Sequence, residues 1–267
     1  MSTLTITTIQ SDLFWEDVVS NLNSFEAKIK SIDTKTGIVV LPEMFSTGFS
    51  MNTEKHAESM DGFTIEWMKR VSKENKIILT GSLMIKENEQ CFNRLIWIMP
   101  NGTLGYYDKR HLFGYGEEDK HFSPGNKRLI ASVNGWKINL QICYDLRFPV
   151  WSRQQSEYIN EKFTPEYDVL IYVANWPERR NHAWKTLLCA RAMENQCYVV
   201  GVNRVGKDGN GIYHSGDSIV VDPVGEVLYH MADKEDIFTL TLDKNSLLET
   251  RARFPFLKDA DHFNIEL

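Results

Sequence analysis

The chain alternates short apolar runs with stretches in which apolar residues recur at helical spacing. β-branched and aromatic residues dominate the apolar runs, and turn-forming residues bound them, which is typical of β-strands. Nine such runs are predicted strands: LTITTIQ (4–10), GIVVLPE (37–43), KIILTGSL (76–83), NRLIWIM (93–99), WKINLQIC (136–143), DVLIYVAN (168–175), CYVVGVNRV (197–205), SIVVDP (218–223) and IFTLTL (237–242).

Three amphipathic helices are predicted between these strands. The first spans 12–32 and begins at Asp12, a residue suited to capping, and its apolar positions are Phe14, Val18, Leu22, Phe25 and Ile29. The second carries Met60, Phe63, Trp67 and Val71 on one face. The third is NHAWKTLLCARAMEN (181–195), with Trp184, Leu187 and Leu188 facing inward.

Strands that alternate with amphipathic helices along the whole length indicate an α/β protein in packed layers. The 267 residues contain no internal repeat, low-complexity stretch or Pro/Ser-rich linker, so a single domain over 1–267 is expected. The longest segment without clear periodicity is 111–128, and a loop of that length in a compact domain is often functional.

Composition narrows the class of protein. With 42% hydrophobic and 25% charged residues the chain is typical of a soluble globular protein, and a net charge of −6 offers no broad basic surface for nucleic acid. No export signal or membrane-spanning run is present, so a cytoplasmic protein is expected. The four cysteines form no CxxC pair, which argues against a disulfide scaffold or a zinc motif.

Three apolar runs end on a residue capable of chemistry. GIVVLPEMF leads to Glu43, LGYYDKRHLF to Lys109, and INLQICYDLRFP to Cys143. Because ligand sites of open α/β sheets lie at the carboxyl ends of strands, these three side chains are candidates for one crevice.

Each candidate also has an ordinary structural interpretation. Glu43 would be a surface carboxylate or an ion-pair partner, but the apolar, glycine-containing segment MFSTGFSMN after it favours a pocket and general-base work. Lys109 would be a solvated lysine, but the aromatic residues around it favour burial, where an ammonium stabilises developing oxyanion charge.

Cys143 would be a small buried hydrophobe, as most cysteines are. Pro149, six residues later, suits the first turn of a helix and predicts that one begins there. A thiol at a strand-to-helix turn beside a cation is expected to have a lowered pKa and to act as a nucleophile. Cys189 and Cys197 are interpreted as structural.

A papain-like Cys-His pair is the competing arrangement, but none of the seven histidines lies in a signature that marks it as the base. The chain has no HExxH and no ligand spacing for a metal, and GKDGNG (206–211) is a turn-rich loop rather than a phosphate loop. No metal or nucleotide cofactor is predicted.

Glu43 in LPEMF, Lys109 in YDKRHLF and Cys143 in CYDLRFP together resemble the Glu-Lys-Cys triad of the nitrilase, or carbon-nitrogen hydrolase, superfamily. The resemblance continues through 174–206 and SGDSIVVDPVGEVL (215–228). It implies a four-layer α-β-β-α sandwich, no cofactor, and subunits that commonly pair, so a homodimer or higher homo-oligomer is expected.

The family also uses a second glutamate between the lysine and the cysteine. Counting back from SPG (123–125) assigns this role to Glu118, with Glu117 as the adjacent alternative. The motifs are most similar to the omega-amidase branch, which hydrolyses the side-chain amide of 2-oxoglutaramate and 2-oxosuccinamate, and the tail from Phe254 through DADHF (259–263) fits that branch.

The resemblance implies a thioester mechanism. Glu43 takes the proton of Cys143, Lys109 and the backbone N–H of Tyr144 hold the oxyanion, and Glu118 helps to position water. Another amidase, carbamoylase or nitrilase on the same triad, or a catalytically silent scaffold, are the alternatives.

Substrate contacts are less specified by the sequence. Arg147 is predicted either to bind a substrate carboxylate or to pair with a structural acid, and Trp176 either to form a pocket wall or to lie in the core. Phe45 and Phe49 are predicted to be apolar walls of the pocket, and Arg179 and Arg180 are further candidate cations.

Overall fold

The computed structural model describes residues 3–159 and 162–266. Their strands are β1 (Thr3–Gln10), β2 (Ile38–Val40), β3 (Ile78–Glu87), β4 (Gln90–Ile98), β5 (Leu104–Asp108), β6 (Leu129–Val133), β7 (Trp136–Ile142), β8 (Glu157–Ile159), β9 (Lys162–Thr164), β10 (Val169–Ala174), β11 (Tyr198–Asn203), β12 (Val205–Lys207), β13 (Tyr213–Val221), β14 (Val227–Ala232) and β15 (Asp236–Asp243). The helices are α1 (Val18–Lys30), α2 (Thr53–His56), α3 (Phe63–Asn75), α4 (Glu118–His121), α5 (Pro149–Ser152), α6 (Asn181–Asn195) and α7 (Lys244–Arg253).

Two mixed sheets form the centre of the protein. The first has the order β15-β1-β2-β3-β4-β5, with β1, β2 and β3 parallel. The second has the order β12-β13-β11-β10-β7-β6, with β14 beside β13 and with β7, β10 and β11 parallel. Each of the nine predicted runs overlaps a strand of these two sheets, and β6 and β14 are among the strands that the pattern missed.

The alternation of side chains along the first sheet explains how the layers pack. Ile38 and Val40 face the second sheet, whereas Val39 between them faces the helices. Leu22 and Phe25 of α1 and the apolar face of α3 cover that outer side. On the far side of the second sheet, α6 buries its own apolar residues Trp184, Leu188 and Ala192. The order of layers is therefore helix, sheet, sheet, helix, which confirms the predicted α-β-β-α sandwich.

The first predicted helix begins later than expected. Asp17, not Asp12, caps α1, and its carboxylate accepts the Ser20 N–H at 3.0 Å. Asp12 instead accepts a hydrogen bond from Arg204 at 2.7 Å. Glu16 has a positive φ of 54°, which turns the chain just before the helix, so the helical spacing read from Phe14 did not mark the helix start.

No helix in the described part of the chain is both long and apolar enough to span a bilayer.

Candidate active site

The three candidate residues follow three different strands, as predicted. Glu43 lies three residues after β2, Lys109 directly after β5, and Cys143 directly after β7. The first two strands belong to one sheet and the third to the other. Because the sheets face each other, these strand ends meet at one edge of the sandwich, beneath a single cavity.

Lys109 is the centre of a buried ionic network. Its Nζ donates to Glu43 Oε1 at 2.8 Å and to the two carboxylate oxygens of Glu118 at 3.0 and 2.9 Å, and all three side chains are 0% exposed. Asn93 Nδ2 donates to both carboxylates, at 2.8 Å to Glu43 and 3.0 Å to Glu118. One ammonium and one amide therefore hold the two carboxylates at fixed positions.

The structure separates Glu118 from its neighbour Glu117. Glu118 is the first residue of α4, and its Oε2 accepts the Phe113 N–H at 2.6 Å. Glu117 lies outside the network, where its largely exposed side chain pairs with Lys120 at 2.5 Å. Segment 111–128 thus delivers one glutamate to the interior and leaves the other on the surface.

Backbone contacts fix the second oxygen of Glu43. Oε2 accepts the Asn175 N–H at 2.8 Å, and the Asn175 side chain donates to the Glu43 carbonyl oxygen. Asn175 directly follows β10, so it ties Glu43 of one sheet to the second sheet. Its own Oδ1 is buried at the cavity without a hydrogen-bond partner among the described residues.

Cys143 occupies a strained turn between β7 and a short 3₁₀ turn. Its φ is +44°, a conformation that costs a non-glycine residue roughly 1–3 kcal/mol. Asp145 holds the turn, because its carboxylate accepts the Ile142 N–H at 3.1 Å, the Tyr107 hydroxyl at 2.8 Å and the His111 N–H at 2.9 Å. The turn that carries the thiol is thereby bonded to the segment that carries Lys109. A helix begins at Pro149, as predicted.

The pKa of the Cys143 thiol differs from the prediction. Burial raises the pKa of Cys143 well above its usual value, and the negative charge of Glu43 raises it further, against an opposing effect of Lys109. A lowered pKa was expected, and that expectation was wrong because it considered the cation without the burial of the thiol and without the carboxylates. Burial alone would lower the pKa of Lys109, but Glu118 and Glu43 raise it, so the ammonium stays charged beside a neutral thiol.

The cavity above the thiol has a volume of about 470 Å³. Tyr144, Phe49, Phe113 and Trp176 give it aromatic walls, and Arg147 belongs to its lining. Trp176 is only 3% exposed, so it is a largely buried residue that also forms the cavity wall.

Arg147 makes no ion pair with a carboxylate of the described residues. Its guanidinium lies 4.9 Å from the centre of the Trp176 ring. The predicted alternative, a salt bridge to a structural acid, is therefore not what the structure has.

Phe45 lies elsewhere than predicted. Its ring is 0% exposed and packs in the core, 5.7 Å from the ring of Phe25 and 6.0 Å from that of Trp67. Phe49, four residues later, is the phenylalanine of this segment that reaches the cavity. The centre of its ring lies 5.2 Å from Lys109 Nζ. Met44 lies between Glu43 and Phe45 and has a φ of +43°. This turn in the backbone comes directly before Phe45, whose side chain points into the core.

Sequence reasoning missed the two asparagines of the network. Asn93 opens the run NRLIWIM and Asn175 closes DVLIYVAN, and a polar residue at either end of an apolar run was the available signal. Among the described residues no group of three or more His, Cys, Asp or Glu side chains is arranged to hold a metal ion.

Comparisons with known proteins agree with this architecture. The family model described as carbon-nitrogen hydrolase matches residues 5–252. A solved structure from Xanthomonas campestris, a CN-hydrolase superfamily protein with an arsenic adduct in its active site, superimposes with a TM-score of 0.96 at 41% identity and covers 100% of both chains.

Two curated relatives are similar to this chain over nearly their whole length. Omega-amidase YafV of Yersinia enterocolitica is 42% identical over 98% of this chain and 99% of its own. The 2-oxoglutaramate amidase of Bacillus subtilis is 30% identical over 96% of each chain. From the family match and these full-length similarities, the chain belongs to the carbon-nitrogen hydrolase family, in the omega-amidase branch of the nitrilase superfamily.

Proposed function

We propose that this protein is an amidohydrolase that cleaves the omega-amide of small 2-oxo acids, such as 2-oxoglutaramate and 2-oxosuccinamate, to the dicarboxylate and ammonia. The observation that carries the proposal is the buried network of Glu43, Lys109 and Glu118 beside the Cys143 thiol. The names of the relatives supply the substrate class.

Acylation begins with a proton transfer. Glu43 takes the proton of Cys143 as the sulfur attacks the amide carbon, so the carbon–sulfur bond forms without a free thiolate beforehand. A thiol with a raised pKa requires such a base, and the Cys143 thiol donates a hydrogen bond to the Glu43 carboxylate. The oxyanion is stabilised by the Lys109 ammonium and the Tyr144 N–H, which lies in the first turn after the thiol.

Collapse of the tetrahedral intermediate breaks the carbon–nitrogen bond. Glu43 returns the proton to the leaving nitrogen, ammonia departs, and a thioester to Cys143 remains. Water then attacks the thioester, with Glu43 again as base and Glu118 holding the water in position, and the products are the carboxylate and the thiol. The two carboxylates around Lys109 suit this order of reaction steps, because they keep its ammonium charged throughout.

The cavity fits a compact substrate with a charged end. Aromatic walls from Phe49 and Trp176 would enclose a chain of four or five carbons, and a cation in the cavity lining would attract its carboxylate.

Ammonia release from a panel of amides tests the function. We expect turnover of 2-oxoglutaramate and 2-oxosuccinamate at a kcat/KM well above that of a nitrile, an N-carbamoyl amino acid or a neutral aliphatic amide. Cys143→Ala should abolish the release, whereas Cys189→Ala, outside the cavity, should retain it. Preference for a nitrile or a carbamoyl compound would reject the omega-amidase assignment.

We further propose that residues 1–267 form one carbon-nitrogen hydrolase domain that acts as a cytoplasmic homodimer. A continuous core cluster that includes residues of both sheets supports the single domain. All four cysteines are free thiols, which suits a reducing compartment. Light scattering coupled to gel filtration measures the assembly, and a monomer at micromolar concentration would contradict the dimer.

A further inference from the structure

Three arginines line the cavity: Arg147, Arg179 and Arg180. No carboxylate of the described residues pairs with any of their guanidinium groups. They differ in exposure, because Arg147 and Arg179 are exposed and Arg180 is half-buried. A partly desolvated cation without an acidic partner is energetically costly unless a ligand supplies the anion.

The acids of the same cavity are already engaged elsewhere. Glu16 accepts from the Ser50 hydroxyl at 2.6 Å and lies 3.1 Å from the His56 ring. Asp208 accepts the N–H groups of Asn210 and Ile212, each at 2.9 Å. Neither carboxylate neutralises the arginines.

Arg180 lies beside two aromatic residues of the cavity. Its carbonyl oxygen accepts the Trp176 ring N–H at 2.8 Å, and its guanidinium lies 5.1 Å from the centre of the Phe113 ring. Phe113 in turn donates its N–H to Glu118 and lies 5.1 Å from the Tyr144 ring. The same residue therefore supports the arginine, the buried network and the turn that carries the thiol.

The electrostatics are consistent with an anion site. Burial lowers the pKa of Arg180, and the like charges of Arg179 and Arg147 lower it further. An anion between these cations would relieve that repulsion.

We propose that Arg180 is the specificity-determining residue that binds the carboxylate of the substrate while the amide at the other end reaches Cys143. This inference rests on the proposed function and assigns the cation that recognises its substrate class. A guanidinium presents two parallel N–H donors to a carboxylate, and a half-buried one binds more strongly than an exposed one. Arg147 and Arg179 are exposed to solvent, which screens their charges, and neither is assigned a contact with the substrate.

Arg180→Met tests the inference, with Arg179→Met as the matched control from the same short segment. Methionine keeps an apolar contact with Phe113 and removes the charge. For 2-oxoglutaramate we expect Arg180→Met to raise KM about 10–100-fold, as loss of a charge-assisted pair implies. For the neutral amide pentanamide kcat/KM should change less than about threefold, since a lost charge affects only the anion.

A second measurement works without turnover. The dicarboxylate 2-oxoglutarate should protect Cys143 from alkylation by iodoacetamide in the wild type, and about tenfold or more ligand should be needed in Arg180→Met but not in Arg179→Met. Protection that fails equally in both variants, or survives in both, would overturn the assignment of Arg180. Absence of omega-amide turnover in a wild type that 2-oxoglutarate still protects would instead reject the proposed function alone.

A misfolded variant is recognised by its thermal unfolding curve. In that case Arg180→Lys replaces it, which keeps the charge but loses the paired donors. We expect its KM for 2-oxoglutaramate to lie between those of the wild type and the methionine variant, and an unchanged KM together with unchanged protection would overturn the proposal.

Discussion

Replacing Glu118 by glutamine removes one charge from the buried network while keeping its shape. Each oxygen of Glu118 accepts two hydrogen bonds, with Lys109 on both, Asn93 at 3.0 Å on one and the Phe113 N–H at 2.6 Å on the other. The new amide nitrogen must take one of these positions, and there it faces only donors. Glu118→Gln therefore loses acceptors as well as the charge.

The size of the effect follows from these contacts. Removing one partner of a buried ion pair costs roughly 3–5 kcal/mol, and because Lys109 keeps its 2.8 Å bond to Glu43 we expect the lower end, about 3 kcal/mol of the free energy of unfolding. With Glu118 neutral, Glu43 alone balances the ammonium, and the water that hydrolyses the thioester loses the carboxylate that holds it in position. We expect kcat/KM to fall about 10²–10³-fold.

Ammonia release and urea unfolding measure the two effects. Glu117→Gln is the matched control, since Glu117 is adjacent in sequence but lies on the surface with Lys120, and we expect its activity and stability to equal those of the wild type. Wild-type activity in Glu118→Gln, or a comparable loss in Glu117→Gln, would refute the role assigned to the buried glutamate.

Three further predictions test other parts of the site. Phe45→Ala should lower the free energy of unfolding by about 3–5 kcal/mol without changing KM, whereas Phe49→Ala should raise KM. A raised KM in Phe45→Ala with an unchanged KM in Phe49→Ala would show that Phe45, not Phe49, contacts the substrate. Glu43→Gln should abolish turnover yet lower the pKa of Cys143, because the carboxylate charge that raises that pKa is gone. The rate of Cys143 alkylation, which increases with pH, should then begin its increase at a lower pH than in the wild type. Burial and the Arg204 charge lower the pKa of His214 to about 4, below its unfolded value, so stability should fall by about 3 kcal/mol as pH drops from 6.5 to 4, and a pH-independent difference from His214→Asn would contradict this.

The sequence predicted the three strand ends because hydrophobic runs that stop at an ionisable residue are visible in one dimension. Glu43, Lys109 and Cys143 each follow such a run. What brings them together is the face-to-face stacking of two sheets, and no local pattern specifies it. The family resemblance, rather than periodicity, supplied the sandwich.

Other features depended on the direction of single side chains. Glu117 and Glu118 are neighbours in sequence, and only the start of α4 decides which one turns inward. Likewise Met44 has a positive φ just before Phe45 turns to the core, and the apolar, glycine-containing segment MFSTGFSMN gave no sign of this turn.

The pKa of the Cys143 thiol likewise could not be predicted from the local sequence. A cation near Cys143 was foreseeable, but the balance between Lys109, two carboxylates and full burial is a property of the assembled site. Asn93 and Asn175 were missed for a related reason, because an amide that bridges two groups has meaning only when both groups are placed.

During turnover Cys143 should carry the acyl group of the substrate as a thioester. Wild-type protein mixed with 2-oxoglutaramate, quenched in acid within a turnover and digested, should give a peptide containing Cys143 heavier by the substrate minus ammonia. Hydroxylamine should remove that mass as the hydroxamate, and Cys143→Ala should show neither the adduct nor ammonia release. Ammonia release from Cys143→Ala, or an acyl adduct on another residue, would exclude Cys143 as the nucleophile.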